Sequence, residues 1–334
     1  MKPLASPRGR YAPSPTGMIH AGNARTALAA WLSARSRGGS FVWRLEDLDP
    51  PRVVPGLAEA QLADLAWLGL DWDEGPDAGG PHAPYEQSRR SAFYEEALAL
   101  LAAAQRLFPC RLSRKDLQAI ASAPHGAEEA PYPASLRPSH VELDWFARLC
   151  SAARPDAAIR FRVHDRPVTF VDRVRGPVAE RVDLAVGDFV LKRRDGLYAY
   201  QLAVVVDDLA MGIDDVVRGA DLLASTARQI QLIEALDGEP PAYAHVPLMV
   251  NARGEKISKR DQGLALRSLR EAGVRPEAVT GYLAFSLGLL DRPEPCRPAD
   301  LLPVFSWEKI GRADWVLPED LASALSGPYP PPAF

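Results

Sequence analysis

Two short stretches of the 334-residue chain hold side chains whose types and spacing suit work on an anion. In "APSPTGMIHAGN", Pro13, Pro15 and Gly17 fix a stiff bend, and His20, Gly22 and Asn23 follow where a helix must start. Helix N-termini present backbone N–H groups that favour phosphate. An Asn N-cap beside a buried His explains the same residues without any ligand, because Asn is a good cap. In "GEKISKRDQG", Lys256, Lys259 and Arg260 crowd a Gly-flanked loop. A solvated basic turn explains that run alone; a functional reading needs an anion, and the first stretch supplies the other half of its site. Neither GxxxxGK[ST] nor GxGxxG occurs, which excludes a P-loop and a dinucleotide fingerprint.

The surrounding elements decide where these stretches sit. "GRYAPS" and "SFVWRLED" read as strands, while "NARTALAAWLSARSR" and "GLAEAQLADLAWLGL" carry apolar residues at helical spacing. Such alternation predicts a parallel α/β sheet with right-handed crossovers, in which ligands bind at the carboxyl ends of the strands. "SRRSAFYEEALALLAAAQRL" predicts a further amphipathic helix. Residues 108–180 turn Pro- and Arg-rich, with short strands at "AIRFRV" and "PVTFV", and read as an insertion. The sheet is expected to resume at "FVLKRRDGLYAYQLAVVVDD", with a hairpin at Asp195-Gly196 and "AYQLAVVVDD" as a buried strand ending in carboxylates. "DLLASTARQIQLIEAL" reads as a helix capped by Asp221, and "HVPLMV" as a strand. The expected division is therefore 1–107 and 181–250 for the two halves of the sheet domain and 108–180 for the insertion. Residues 251–334 hold the basic loop and a helical C-terminal segment with a proline-rich tail.

Composition narrows the classes. With 47% hydrophobic and 25% charged residues the chain is ordinary globular material. No run approaches the roughly 20 apolar residues of a membrane helix, and "MKPLASPRGRY" lacks the apolar core of a signal peptide; a cytoplasmic, membrane-free protein is expected. Cys110, Cys150 and Cys296 lie far apart, and the six histidines form no HExxH, so neither a disulfide framework nor a metal site is evident. A net charge of −4 argues against nonspecific coating of nucleic acid. Residues 106–115, 160–166, 173–175 and 192–194 are locally basic, and together they suit a local anionic partner.

"APSPTGMIHAGN" resembles the first signature of the class I aminoacyl-tRNA synthetases, with His20-Ala21-Gly22-Asn23 in place of His-x-Gly-His, and "KISKR" resembles their second. "GRYAPSPTG", "RLEDLDPPR", "VVVDD" and "VVRGADLLASTARQ" point to the glutamyl branch, over about Arg8 to Leu290. The resemblance implies a Rossmann-like catalytic domain with an inserted α+β subdomain, and ATP with magnesium as substrate. It implies that His20, Asn23, Lys256 and Lys259 act in catalysis, and that Gly22, Ile257, Ser258 and Arg260 complete the ATP site. For L-glutamate it implies Arg10, Ala12, Ser14, Glu46, Tyr200 and Arg218; an arginine fork is the natural partner of a carboxylate.

The short plan, with "RRDGLYAYQLAVVVDD" and "DRVRGPVAE", is similar to the glutamyl-queuosine tRNA(Asp) synthetases. That likeness implies activation of glutamate without tRNA, then transfer to the cyclopentene-diol of queuosine in the anticodon loop of tRNA(Asp), by a monomer. The insertion would then meet the RNA. Where many relatives hold zinc through three cysteines and a tyrosine, "FPCRLSRKDL" and "PYPASLRP" keep Cys110 and Tyr132 but place Leu112 and Leu136 at the other positions, so no zinc is expected. The competing readings are a truncated glutamyl-tRNA synthetase charging tRNA(Glu), a non-catalytic paralogue that binds glutamate or adenylate, and a nucleotidyltransferase for another small acid.

Overall fold

In the computed structural model, which describes residues 6–113, 116, 131–139, 141, 144–151, 155–257 and 262–326, the chain begins as strand, helix, strand. β1 (Arg8–Tyr11) and β2 (Ser40–Trp43) pair in parallel, joined by α1 (Ala21–Arg35). Small residues let α1 lie close to the sheet. The helix is buried over most of its surface, and a Cβ added at Gly9 of β1 would stand 3.1 Å from the Ala34 Cβ. The carboxyl end of β1 and the N-terminus of α1 therefore share one edge of the sheet, bridged by residues 12–20.

β8 (Asp215–Gly219), β9 (Ala242–Val246) and β5 (Val168–Asp172) continue this sheet in parallel, and β6 (Gly176–Glu180) ends it antiparallel, in the order β2-β1-β8-β9-β5-β6. Successive residues face opposite sides of a strand, and the cores follow. Val216 and Tyr243 join the core under α3 (Ser91–Ala103), whereas Val217 and Ala244 join the core around α1 and the C-terminal helices. The expected α/β sheet is present. A separate antiparallel sheet holds β3 (Leu107–Cys110), β4 (Ala158–Phe161) and β7 (Phe189–Lys192).

Four sequence expectations are corrected. "AYQLAVVVDD" is not a strand: Tyr200–Ala210 is an α-helix. An unbroken apolar run fits a buried helix and a buried strand equally well. The helix wins because spacing by four puts Tyr200, Val204 and Asp208 on one face, whereas a strand would send Asp207 and Asp208 to opposite sides. β7 pairs in the small sheet rather than resuming the large one, and β5 and β6 belong to the large one, so strand pairing runs across the expected boundary at residue 180. Asp221 makes no cap for the Leu223–Ala235 helix; it lies in a preceding turn of 3₁₀-helix. "HVPLMV" is broken at Pro247, which has no N–H for a ladder, into β9 and β10 (Met249–Val250).

The Tyr200–Ala210 helix locks the fold with two buried carboxylates. Asp207 accepts from Arg90 Nε at 2.5 Å, Gln87 Nε2 at 2.7 Å and the Tyr94 hydroxyl at 2.9 Å. Removing one member of such a buried pair leaves an uncompensated charge. Asp207→Ala is accordingly expected to lower folding stability by about 3–5 kcal/mol, read from the midpoint of denaturant unfolding. A loss under about 1 kcal/mol, the scale of an exposed pair, would show that Arg90 finds another partner.

Candidate active site

The bend and the helix start form one unit. His20 is the N-cap of α1: its Nδ1 accepts from the Asn23 backbone N–H at 3.3 Å, while Asn23 Oδ1 accepts from the His20 N–H at 3.5 Å. The expected Asn cap is thus replaced by a reciprocal box with the imidazole in the capping role. With Nδ1 accepting, the ring proton sits on Nε2, which makes Nε2 a donor, and the Asn23 amide keeps its NH₂ group for donation. Gln61 on α2 (Leu57–Leu68) holds the bend from behind, donating to the carbonyls of Ser14 at 3.1 Å and Gly17 at 2.8 Å.

These residues open onto a cavity of about 1000 Å³ at the carboxyl ends of β1 and β8. Ala12, Ser14, His20, Gly22 and Asn23 line it from the first loop and α1. Arg10, Glu46, Tyr200 and Arg218 line a second side, and Lys256 and Ile257 a third. Every site residue expected from sequence and described by the structure faces this one space; Ser258, Lys259 and Arg260 lie outside the described residues. Lys256 is ion-paired with Asp221, the residue expected as a helix cap.

The two arginines are anchored differently. Arg10 is buried and grips Asp208 side-on, Nε at 3.1 Å and Nη2 at 3.4 Å. Arg44, also buried, donates to Asp208 at 2.6 Å and to Glu46 at 3.3 Å. Burial pushes the Asp208 carboxyl up, but Arg10 and Arg44 outweigh it and hold that group below its ordinary range. At Glu46 burial wins over Arg44 and Arg10, and the carboxyl is raised. Among the described residues, no carboxylate pairs with Arg218. It donates through Nε to His245 Nε2 at 2.9 Å, Nη1 to Gln229 Oε1 at 2.7 Å and Nη2 to Thr226 Oγ1 at 2.9 Å. A guanidinium has five N–H donors, so one N–H on each terminal nitrogen is left for a ligand. Gln201 fixes the Gln229 amide by accepting from its Nε2 at 2.8 Å.

Sequence reasoning missed Gln61, Arg44, Asp208, Gln229 and His245 as parts of this site. "VVVDD" was a visible signal, but read as a strand end it gave no reason for both carboxylates to point inward. Gln61 sits on a helix face with nothing local to mark it. The basic segments were expected to face an anion, yet much of their charge is spent internally. Arg106 donates to the Arg162 carbonyl at 3.0 Å, Arg160 donates to the Asp188 carbonyl at 2.6 Å, and Arg173 pairs with Asp215. Arg111, Arg166, Arg193 and Arg194 are exposed, with Arg111 paired to Asp156 at 2.7 Å and Arg193 paired to Asp195.

The positions that resemble a zinc site pack as hydrocarbon. Cys110 and Tyr132 are buried with Phe108, and Leu112 and Leu136 close over them. The Tyr132 hydroxyl donates to the Leu136 carbonyl at 3.3 Å. One thiol and one phenol do not fit a closed tetrahedral site.

Comparison with known proteins agrees with this geometry. Residues 7–290 match the family described as tRNA synthetases class I (E and Q), catalytic domain. The chain is 50% identical over 321 residues to the glutamyl-Q tRNA(Asp) synthetase of Symbiobacterium thermophilum, covering 96% of this chain and 98% of that protein. It is 40% identical to glutamate–tRNA ligase 2 of Syntrophus aciditrophicus, over 94% of this chain but 64% of that one. A crystal structure of a glutamate tRNA ligase from Elizabethkingia meningosepticum, in complex with its amino acid, superposes with a TM-score of 0.81 at 29% identity, covering 96% of this chain and 68% of that one.

Two outcomes are expected. Purified protein analysed by inductively coupled plasma mass spectrometry should carry no stoichiometric zinc; one equivalent that survives dialysis would overturn the packing argument. Gly22→Ala should weaken ATP binding while sparing glutamate, because a Cβ there stands 3.2 Å from the His20 ring; equal ATP saturation curves would show that the ring is not pressed.

Proposed function

The chain belongs to the class I tRNA synthetases (E and Q), within the glutamyl-Q tRNA(Asp) synthetases, and from that membership we propose how its cavity works. L-glutamate and ATP bind side by side. A carboxylate oxygen of glutamate attacks the α-phosphorus; the bond to the bridging oxygen breaks, and pyrophosphate leaves. The protein positions reactants and stabilises charge rather than forming bonds itself. His20 Nε2–H, the Asn23 amide and the N-terminus of α1 take the phosphate or ribose side. Lys256, leaving Asp221, and Lys259, further along the chain, take the leaving phosphates. Glu46 takes the α-amino group, Arg10 and Arg218 the carboxylates, and Ser14 and Tyr200 complete the contacts.

A hydroxyl of the queuosine cyclopentene-diol in tRNA(Asp) then attacks the activated carbonyl, an ester forms and AMP departs. The observation that carries this reading is a single cavity holding two buried arginines and a carboxylate beside a capped helix N-terminus. Among the described residues no group of three or more His, Cys, Asp or Glu side chains could hold a metal; magnesium is proposed as the companion of ATP. Exposed Arg111, Arg166, Arg193 and Arg194, in and beside the 108–180 insertion, suit contacts to RNA phosphates. No helix among the described residues is long and apolar enough to cross a membrane; we place the enzyme in the cytoplasm as a monomer.

Labelled glutamate and ATP offered to queuosine-containing tRNA(Asp), to the same tRNA without queuosine, and to tRNA(Glu) should label the first RNA alone. Label on tRNA(Glu) would make this a charging enzyme of the kind the Syntrophus relative is named for. Lys259→Ala should lower glutamate-dependent ATP–pyrophosphate exchange by roughly 100-fold or more, with the unfolding midpoint unchanged.

A further inference from the structure

Arg218 is held by neighbours that carry no charge. Of its three acceptors, Gln229 and Thr226 come from the Leu223–Ala235 helix and His245 from β9. Register places Arg218 of β8 directly beside His245 of β9. The imidazole is fully buried, and its other nitrogen, Nδ1, lies 2.6 Å from Asp172 Oδ2 on β5. Three adjacent strands thus contribute one residue each to a line from carboxylate to imidazole to guanidinium. The line has only one consistent proton arrangement. Arg218 can only donate, so His245 Nε2 must accept, and the ring proton must sit on Nδ1 and point at Asp172.

Asp172 is itself fixed, accepting from the backbone N–H groups of Val174 at 2.9 Å and Arg175 at 2.8 Å. The other groups facing the ring are the Thr226 hydroxyl at 3.2 Å and the ring of Tyr243, while Arg175 Nε donates to the His245 backbone carbonyl at 3.3 Å.

The geometry points to His245 as the positioning residue of Arg218: its Nε2, oriented by Asp172, aims the guanidinium at the substrate carboxylate while leaving its charge unspent. An aspartate in direct contact would aim the arginine equally well, as Asp208 does for Arg10, but would neutralise it at contact distance. The imidazole inserts a ring between the opposite charges, and Coulomb attraction falls with that distance. Burial disfavours the protonated ring, Asp172 opposes that, and Arg218 reinforces it; the net direction is a lowered pKa, in keeping with a neutral acceptor.

This role rests on Arg218 binding glutamate, and the test separates the two. ATP–pyrophosphate exchange is measured against glutamate and against ATP for Arg218→Ala, His245→Asn, His245→Gln and Thr226→Val. His245→Asn keeps an amide near Asp172 but puts nothing at the ε position. It should raise the glutamate KM about tenfold or more, with the ATP KM unmoved and kcat changed much less. His245→Gln, whose amide reaches the ε position, should return the glutamate KM to within about threefold of wild type. Thr226→Val, which removes a second acceptor of Arg218 and leaves His245 in place, should raise the glutamate KM less than His245→Asn; an equal or larger rise would overturn the leading role of His245.

A glutamate KM unchanged in His245→Asn, or equally raised in Asn and Gln variants, overturns the positioning role while a raised KM in Arg218→Ala still upholds the glutamate site. An unchanged KM in Arg218→Ala overturns both. If His245→Asn does not fold, His245→Gln decides: a glutamate KM within about threefold of wild type upholds the role, and a rise of about tenfold or more overturns it.

Discussion

Two carboxylates in one helical turn, joined by Glu46 beside Arg44, face three buried arginines, and the rest of the architecture is arranged around that requirement. Asp208 serves Arg10 of β1 and Arg44 just after β2, and Asp207 serves Arg90 at the start of α3. Burying an ion costs several kcal/mol, which is offset only when geometry is good and the remaining lone pairs are satisfied. Gln87 and Tyr94 fill that need at Asp207. The Tyr200–Ala210 helix can sit nowhere else without stranding at least one charge, and its position brings Tyr200 into the cavity. The wall of the site follows from the charge balance beneath it.

The same balance separates the two arginines that face the cavity. Arg10 lies against an ionised Asp208, so its role is a fixed donor array of reduced net charge. Arg218 is held by an amide, a hydroxyl and an imidazole, with the Tyr243 ring 5.5 Å from its guanidinium and no carboxylate paired to it among the described residues, in a buried place where electrostatic attraction is stronger than in water. Holding such a charge without its own counter-ion is unfavourable for the empty protein. If Arg218 receives a substrate carboxylate as proposed, the ligand removes that cost, and selectivity for an anion over its neutral amide would come from the same source.

What could be read from the chain divides along the range of the interactions. His20, Gly22 and Asn23 fall within one turn, and Lys256 within a short loop, so their types and spacing announce a helix N-terminus and a basic loop directly. The strand–helix–strand start is equally local. The Tyr200–Ala210 helix reads as a strand from sequence because Val204, Val205 and Val206 favour strands, and only distant Arg10, Arg44 and Arg90 reveal what its carboxylates must reach. His245 and Asp172 are 73 residues apart. Nothing in either segment signals the other until β9 is known to lie between β8 and β5. The same holds for the sheet boundary, since β5 leaves the inserted region to pair with β9 through a register no local pattern encodes.

Gly22 has a nearer reason to be glycine than a nucleotide lying against it. A Cβ there would stand 3.2 Å from the His20 ring and 3.4 Å from the Met249 Cβ. Met249 is part of the short strand β10, so it cannot withdraw easily, and the imidazole is the side that must yield. Once displaced, Nδ1 no longer accepts from the Asn23 N–H, and the first turn of α1 loses the cap that holds its donors in place. The turn therefore carries an imidazole, a bare glycine and an amide together because each requires the next. The ring caps the helix and turns Nε2–H outward, the amide completes the box from the other side, and the glycine leaves room for the ring to stay.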